Sequence, residues 1–483
     1  MPLPIARPAG LVRRAVVDSL PAPRIVVGRK PVGPRSGWEG VGAHSNPSVY
    51  EKPKPGELGL NPAQIARGEQ QMANLHPQVT RIRVDPTILK LQDPAFASAH
   101  PEDAAAAQKR LGELQHTVSL ALQHGGRADL CLWNLEKGYR TSPQEMKTVA
   151  SEYASLVKQL TTAHPNAKPG TFLVSAQNEP NRTKLSPGQV VSLYQDIDAS
   201  LKSTLGAHGR KAVKLVAGEL TQGDASAKWI NAVVPKLGNV VDALSFHVYM
   251  HPGETGAAYE GRLRGLRQEV DAAMPKGKPA PELLVTEYGV KGDRPAAART
   301  DSPGTVTVNG KRVLLRDSPE GGFREAQALI ALTHAGFSGA MRWGSNAGGP
   351  TPWNAWSMTG RPGEGFAKKP AYFATQLFTT AVGQGWIPEQ SVGSSRGQSV
   401  AAFRSPANGG AASVVANTNT APQRLSLGGF PPNTQVQVLV YNAGGKGQLG
   451  TRPVVTDAKG FVTVSVPPHG VAAATTRLEV PQT

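Results

Sequence analysis

Cysteine is nearly absent from this sequence, since Cys131 is the only one in 483 residues. No disulfide framework can therefore stabilise the fold, and a hydrophobic core has to do so. Leucines flank Cys131 on both sides, which indicates a buried thiol on a strand. No metal-ligand cluster or phosphate-binding loop stands out either, so we expect neither a metal nor a cofactor.

Long hydrophobic runs are also missing. No apolar stretch approaches the roughly 20 residues that a membrane-spanning helix needs, so we expect no membrane span. Near the N-terminus, the apolar residues from Ala15 to Val17 run straight into Asp18, and no secretory signal can be recognised. The compartment stays open: secreted or periplasmic if a leader has been removed, and otherwise cytoplasmic.

Acidic residues are scarce, with 35 Asp and Glu against 52 Lys and Arg, which gives a net charge of +17. Such an excess suits a nucleic acid, an anionic membrane or an acidic polysaccharide as a partner. The basic residues are scattered and no nucleic-acid motif stands out, so we expect no nucleic-acid partner. An acidic glycan remains a candidate ligand, and a basic polyanion binder is the weakest alternative.

The length suggests more than one domain, and 53 glycines with 41 prolines indicate a folded, loop-rich chain. From residue 37 to about 385, short apolar strands alternate with helical patterns, which predicts an α/β fold, a (β/α)8 TIM barrel. Residues 386–483 change to short strands with regular turn signals, which predicts a small β-sandwich. Residues 1–36 are rich in Pro and Arg, and Arg24 to Val27 is expected to add an edge strand to that sandwich. We expect a monomer.

The segment Phe172 to Asn181 organises the predicted barrel. Its apolar start reads as a buried parallel strand, and Pro180 ends it, so Asn178 and Glu179 lie at the C-terminal tip. Barrel enzymes hold their catalytic groups at that end. Glu287 ends a second such strand, and counting along the chain makes these the fourth and seventh strands, whose carboxyl groups could meet over one bond. Each glutamate could instead be a solvated or paired structural group.

Four short motifs extend this pair, namely Gln177–Asn181, Ser245–Tyr249, Val285–Tyr288 and Arg342–Trp343. With them the chain resembles the retaining glycoside hydrolases of clan A over about residues 37–380. The Asn-Glu-Pro-Asn form is most similar to family 39. The resemblance implies hydrolysis of the O-glycosidic bonds of a carbohydrate, with Glu287 as nucleophile and Glu179 as general acid and base.

The resemblance also implies supporting roles around that pair. An amide at the position of Asn178 bonds the sugar 2-hydroxyl, and an arginine on the second strand, here Arg83, supports the catalytic carboxylates. Tyr249 bonds the nucleophile and His247 lines the same site. Trp343 forms an aromatic floor for the reacting sugar.

Other candidate residues follow from residue type and place alone. Trp133 and Asn134 end the third strand, where an aromatic face and an amide suit a sugar ring, although a core tryptophan is the alternative. Trp353 and Trp356 lie in a Gly/Pro-rich loop and are candidate stacking platforms. Glu219 ends the fifth strand as a third carboxylate placed to contact substrate.

A hairpin is predicted within residues 304–316, because Asn309-Gly310 separates two β-rich runs. Its basic residues Lys311, Arg312 and Arg316 either meet substrate charge or form a solvated face. A hairpin and an aromatic loop on one rim favour an open cleft and endo action on a polysaccharide. An exo-acting glycosidase stays open, as does a non-catalytic glycan-binding protein on a barrel scaffold, which would not need the carboxylate pair.

Overall fold

The structure is a computed structural model, and it describes residues 22–32, 37–45, 61–123, 125–135, 139, 142–221, 224–291, 304–308, 310–344, 357–360, 365–392, 397–444 and 447–478. Trp353 and Trp356 lie outside the described residues.

A closed barrel of eight parallel strands forms the centre of the molecule, as predicted. The first strand of the chain, β1 (Arg24–Pro31), belongs to a second sheet and is described below. The first seven barrel strands are β2 (Gly40–Ser45), β3 (Val79–Val84), β4 (Arg127–Leu132), β5 (Phe172–Ser175), β6 (Val213–Thr221), β7 (Ala243–His247) and β8 (Glu282–Tyr288). A separate hairpin of β9 (Thr305–Val308) and β10 (Lys311–Leu314) follows, and the eighth barrel strand is β11 (Gly339–Arg342). The barrel closes where β11 pairs with β2. In the hairpin Val308 pairs with Lys311, so the predicted two-residue loop is confirmed.

Helices surround the barrel and cover the outward side chains of its strands. They are α1 (Pro62–Leu75), α2 (Pro94–Ala99), α3 (Pro101–Gln123), α4 (Pro143–Ala163), α5 (Pro187–Lys211), α6 (Asp224–Leu237), α7 (Gly256–Ala273), α8 (Pro319–His334) and α9 (Pro370–Ala381). Several begin with proline directly after a capping side chain; for example, Asn61, Ser142 and Ser186 each accept a backbone N–H of the first turn. Proline fits there because the first helical N–H groups have no partner within the helix.

A fully buried apolar layer fills the lower part of the barrel interior: Val79, Leu173, Val216, Ala243, Leu284 and Met341. Side chains two or more residues further along the same strands also point inward, and many of these are polar, such as Arg81 and Ser175. Because all eight strands are parallel, these polar groups gather at the C-terminal end of the barrel.

Two bulges interrupt the strand register beside this polar layer. Ala217 pairs with Leu244 and Leu220 with Phe246, so Gly218 and Glu219 lie opposite a single residue. The two have φ angles of 114° and 50°, and a Cβ on Gly218 would lie 2.5 Å from a backbone oxygen of β7. A second bulge inserts Thr286 into β8. A bulge changes the direction in which the neighbouring side chains point. The bulge in β8 directs the consecutive side chains of Thr286 and Glu287 into the barrel interior.

The C-terminal part of the chain forms a nine-stranded, mostly antiparallel sheet that folds around its own apolar core and fits the predicted β-sandwich. Its strands are β12 (Ile387–Val392), β13 (Gln398–Arg404), β14 (Ala411–Asn417), β15 (Gln423–Gly428), β16 (Gln435–Asn442), β17 (Leu449–Val455), β18 (Val462–Val466) and β19 (Gly470–Thr475). β1 joins this sheet between β12 and β15, so it has a partner on each side and does not take the predicted edge position. The domain boundaries near residues 36 and 385 stay a prediction. None of the helices that the structure describes is long and apolar enough to cross a membrane.

Candidate active site

Glu179 and Glu287 meet at the C-terminal mouth of the barrel. His247 lies between them, with its Nδ1 atom 3.0 Å from Oε1 of Glu179 and 3.3 Å from Oε2 of Glu287. One carboxylate oxygen of each glutamate and one imidazole nitrogen of His247 all lie within 4.8 Å of one another. The fourth and seventh barrel strands therefore bring the two predicted carboxylates together.

The two glutamates differ in exposure. Glu179 has a left-handed backbone with φ 46° and precedes a short 3₁₀ turn that begins at Pro180, so the chain bends sharply away from β5. Such a conformation is uncommon for residues other than glycine and is found at functional sites. The Glu179 side chain is 25% exposed, whereas that of Glu287 is 6% exposed. Glu179 is thus the more accessible of the two carboxylates.

Arg81 is the cation at the centre of the site. Its Nη1 atom donates to Oε1 of Glu287 at 2.8 Å, and its Nη2 atom donates to Oε2 of Glu219 at 2.5 Å and to Oδ1 of Asn178 at 2.7 Å. The guanidinium is fully buried. Charge-assisted bonds of this kind hold a carboxylate ionised and in a fixed orientation.

This supporting role was predicted for Arg83, but Arg81, two residues earlier on β3, is the arginine that bonds the carboxylates. Arg81 and Arg83 occupy the same interior face of β3, because side chains on a strand alternate. Arg83 lies one layer nearer the mouth, where its guanidinium carbon is 5.4 Å from the centre of the Trp133 ring. A direct role for Arg83 in binding substrate stays a prediction.

Tyr249 contacts Glu287 as the resemblance implies. Its hydroxyl donates to Oε2 of Glu287 at 2.9 Å, on the opposite oxygen from the one that Arg81 binds. Both oxygens of Glu287 therefore have a donor. The substrate-binding roles of Asn178, His247 and Tyr249 stay predictions.

Glu219 was expected to contact substrate, and the structure contradicts this. Its side chain is completely buried, beneath the level at which a sugar could reach it. It accepts five hydrogen bonds, from Arg81, Ser175, Ser245, His247 and Thr286. Glu219 is therefore a structural anchor for the groups that contact Glu179 and Glu287. Gly218 is the sequence signal for this, because a glycine directly before a strand-end carboxylate marks the bulge that turns it inward.

Asp129 is a fourth carboxylate in the cluster and was not predicted as a site residue. It is fully buried, 3.7 Å from Nε of Arg81 and within hydrogen-bond reach of the Ser175 hydroxyl at 3.4 Å. Burial, together with the nearby charge of Glu219, raises the pKa of Asp129 to about 8. Asp129 is thus mainly protonated at neutral pH, while Glu219 keeps the closer contact with Arg81. An acidic residue inside an otherwise apolar strand was the available signal.

Among Glu179, His247 and Glu287, the pKa values favour His247 as the group that holds a proton. Burial lowers the pKa of His247, but the charge of Glu287 and the hydrogen bonds to Glu179 and Glu219 outweigh this and raise it to about 9. Burial likewise raises the pKa of Glu179, yet the hydrogen bond and charge of His247 bring it below its ordinary value. For Glu287 burial is dominant and its pKa lies above the ordinary value. These two pKa shifts are the reverse of what was predicted, since a Glu179 that holds the proton needs the higher pKa of the two glutamates.

An aromatic wall, formed by His44, Trp133 and Trp343, adjoins the carboxylates. The Trp133 and Trp343 rings stack with centres 5.4 Å apart, and His44 stacks on Trp343 at 4.4 Å. The guanidinium carbon of Arg81 lies 5.7 Å from the Trp133 ring, which joins this wall to the charged cluster. Nε2 of His44 and Nε1 of Trp133 are buried without a hydrogen-bond partner among the described residues.

Asn134 follows the wall with a left-handed backbone, φ 56°. The roles predicted for Trp133, Asn134 and Trp343 in binding sugar stay predictions, as do those of Trp353 and Trp356. His44 was missed because a histidine near the end of the first strand carries no motif of its own.

The ligand atoms of Glu179, His247 and Glu287 are close enough together to hold a metal ion. Hydrogen bonds within the trio, with those from Arg81 and Tyr249, account for the same arrangement. We assign these contacts to hydrogen bonding.

Replacing Arg81 by methionine is expected to lower the free energy of unfolding by about 3–5 kcal/mol, because it leaves buried carboxylates without their cation. Urea denaturation at pH 7 measures this. Arg83→Met is the matched control: it removes the same group from the same face of β3, one layer nearer solvent, and should cost about 1 kcal/mol or less. Equal losses in the two variants would contradict the central role of Arg81.

A TIM barrel with glutamates on its fourth and seventh strands and an attached β-sheet domain is the architecture of clan A glycoside hydrolases. No protein-family model and no curated protein matches the sequence. Among solved structures, the chain is similar to the catalytic domain of a GH30 xylanase C from Talaromyces cellulolyticus, with TM-score 0.63 and 14% identity over 94% of this chain and 99% of that one.

Two further structures are similar over nearly the whole chain. A GH39 enzyme from Xanthomonas axonopodis pv. citri has TM-score 0.58 and 14% identity, covering 96% of this chain and 99% of its own. An alpha-L-arabinofuranosidase from Thermotoga maritima has TM-score 0.59 and 13% identity, covering 95% and 100%. At such low identity these similarities establish the fold, and this chain has the fold of the clan A enzymes.

Proposed function

We propose that this protein is a retaining glycoside hydrolase in which Glu287 is the nucleophile and Glu179 the general acid and base. The observation that carries the proposal is the carboxylate separation, since an oxygen of each lies within 4.8 Å of the other. Retaining enzymes hold their carboxyl groups about 5 Å apart, whereas inverting enzymes leave about 6.5–9.5 Å for a water molecule.

In the first step Glu287 attacks the anomeric carbon while the bond to the leaving oxygen breaks. Arg81 and Tyr249 each hold one oxygen of Glu287, at 2.8 and 2.9 Å, and so fix the direction of attack. Their positive charge and hydroxyl dipole also favour the ionised form that a nucleophile needs, against the effect of burial. Glu179, the more exposed carboxyl group, protonates the leaving oxygen.

In the second step Glu179 takes a proton from water, which attacks the glycosyl ester and releases Glu287. Asn178 supports both steps. Because Arg81 donates to its amide oxygen, the NH₂ group of Asn178 is left to donate to the sugar 2-hydroxyl. The aromatic wall supplies an apolar face for the ring of the reacting sugar.

We propose a polysaccharide as substrate, cleaved by endo action. The β9–β10 hairpin follows β8 and therefore stands on the catalytic face, where Lys311 and Arg312 are exposed. Arg316, predicted with them, is buried and cannot meet substrate. The net charge of +17 adds support for an acidic or partly acidic polymer. Two similar structures are a xylanase and an arabinofuranosidase, which makes pentose-containing polymers the first to test.

The alternatives predict different outcomes. An exo-acting glycosidase would remove single terminal sugars from the same polymers. A non-catalytic glycan-binding barrel would bind without releasing products, but binding alone does not require two carboxylates this close together with an arginine and a tyrosine on one of them.

Digestion of a polysaccharide panel, including neutral and glucuronic-acid-bearing xylans, tests the proposal. We expect a ladder of mixed oligosaccharides early in the reaction, because an open cleft admits internal bonds. Product sizing by chromatography at early times measures it, with Glu287→Gln protein as the blank. Monosaccharide alone would indicate exo action, and no product from any polymer or aryl glycoside would contradict hydrolase function.

A further inference from the structure

His247 lies between Glu219 and Glu179, which contact opposite nitrogens of its ring. Its Nε2 atom is 2.9 Å from Oε2 of Glu219, and its Nδ1 atom is 3.0 Å from Oε1 of Glu179. The histidine is fully enclosed, while Glu179 faces the mouth. A buried carboxylate on one nitrogen fixes the orientation of an imidazole and stabilises its cationic form, so that the other nitrogen can exchange a proton.

We propose that Glu219, His247 and Glu179 form a proton relay that stores the catalytic proton on His247 and delivers it to Glu179 when the glycosidic bond breaks. This inference rests on the proposed function and deepens it. Glu179 is the catalytic residue of the three, because it alone touches the substrate. His247 and Glu219 act through it as positioning residues.

Glu219 is built to remain an ionised and immobile anchor. Five donors surround its two oxygens, and the bulge at Gly218 fixes its backbone below the mouth. Burial raises the pKa of Glu219, but the charge of Arg81 and the hydrogen bond from His247 outweigh this and bring it well below its ordinary value. Asp129, with a weaker contact to Arg81, keeps a proton instead.

The other groups that face His247 favour its protonation on balance. Glu287 lies 3.3 Å from Nδ1, and Nη2 of Arg81 lies 3.5 Å from Nε2. Beyond these contacts, Asp129 and His44 are close enough to His247 to interact with it electrostatically. Asp129 keeps its proton and burial lowers the pKa of His44, so neither is charged near neutral pH. The attraction of three ionised carboxylates for a proton on the ring outweighs the repulsion from one guanidinium. The proton is therefore held by His247 and not by Glu179.

The proton balance closes over the two steps. As negative charge develops on the leaving oxygen, the Nδ1 proton of His247 moves to the Glu179 carboxyl group, and that group transfers a proton to the oxygen. The C–O bond breaks while the bond between Glu287 and the anomeric carbon forms, and His247 becomes neutral with its Nε2–H on Glu219. In the second step Glu179 takes a proton from the attacking water and returns one to His247.

The test uses two aryl glycosides of whichever sugar the wild-type protein hydrolyses in a panel of xylose, xylobiose, arabinofuranose and glucose. The 2,4-dinitrophenyl glycoside has a leaving group that needs no acid, and the 4-methoxyphenyl glycoside has one that does. Glu219→Gln should lower kcat/KM for the methoxyphenyl substrate by about 30-fold or more and for the dinitrophenyl substrate by about 3-fold or less. Asp129→Asn is the matched control, because it changes a buried carboxyl group beside Arg81 that does not touch His247, and it should leave the ratio of the two rates unchanged.

The pH profile gives a second readout. Because the relay needs protonated His247, the methoxyphenyl rate should fall as the pH rises through about 9, the pKa of His247, and Glu219→Gln should move this fall to lower pH. NMR titration of the His247 ring in the wild-type protein checks the same value without any variant. This titration keeps the relay testable even if Glu219→Gln does not fold.

Three results would overturn the relay. They are equal losses on the two glycosides in Glu219→Gln, a change of their ratio in Asp129→Asn, and titration of His247 near or below its ordinary value of about 6.5. With an active wild-type protein, each of these leaves the proposed hydrolase function standing. A wild-type protein that cleaves neither glycoside nor any polymer overturns both.

Discussion

Glu287→Gln is expected to abolish turnover of every substrate, with a loss in kcat of about 10⁴-fold or more. The amide has the shape of the carboxylate but cannot form a glycosyl ester, so leaving-group ability cannot compensate. Rates with both aryl glycosides and with the polysaccharide measure the loss. Activity retained on the dinitrophenyl glycoside alone would contradict the assignment of Glu287 as nucleophile.

Glu282→Gln is the matched control for this variant. Glu282 begins the same strand, β8, and its carboxylate binds Lys214 at 2.9 Å, at the opposite end of the barrel from the mouth. The same chemical change there should leave kcat unchanged. Equal losses in the two variants would mean that Glu287→Gln acts through the folding of β8.

Glu179→Ala is expected to separate substrates by leaving group. Turnover of substrates that need acid should fall by about 10²–10⁴-fold, whereas formation of the glycosyl-enzyme from the dinitrophenyl substrate should be nearly normal. The intermediate then accumulates, because no base activates water. Azide needs no base and fits the space left by the carboxyl group, so it should restore turnover and yield a glycosyl azide with the anomeric configuration of the substrate.

Stopped-flow release of dinitrophenol, with and without azide, measures this behaviour, and Glu179→Gln shows whether the created space is required. Equal losses on both substrates, with no effect of azide, would contradict the role of Glu179 as acid and base.

The barrel and the meeting of Glu179 with Glu287 at its mouth were predictable because they rest on local patterns. An apolar run that stops at Asn-Glu-Pro indicates a strand end without any long-range information, and strand order in a barrel follows chain order. Glu179 and Glu287 could therefore be placed opposite each other from counting alone. The β9–β10 hairpin was predictable for the same reason, since its Asn-Gly turn is local.

Arg83 was predicted in place of Arg81 because the depth of a side chain inside the barrel cannot be read from the local sequence. Arg81 and Arg83 have the same face and the same chemistry, and the stagger between neighbouring strands decides which one is level with Glu287. Strand β3 pairs Arg81 with Asp129 of β4, and only that register makes the buried contact visible. The interior position of β1 in the C-terminal sheet was missed on similar grounds, because its partners β12 and β15 are far away in sequence.

The roles of Glu219 and His247 depend on bulges that shift the register by one residue. Without the bulge in β8, Thr286 and Glu287 would point to opposite faces, and only one could reach the interior. Glu219 looks from sequence like any strand-end carboxylate open to substrate. Its burial beneath His247 is a property of the assembled barrel.

The stereochemistry of the first-formed product tests the central claim most directly. Proton NMR of the anomeric signals, recorded during hydrolysis before mutarotation, identifies the configuration of the released sugar. The carboxylate separation predicts that the product first appears with the anomeric configuration of the substrate. First appearance of the opposite anomer would contradict attack by Glu287 and the double-displacement mechanism.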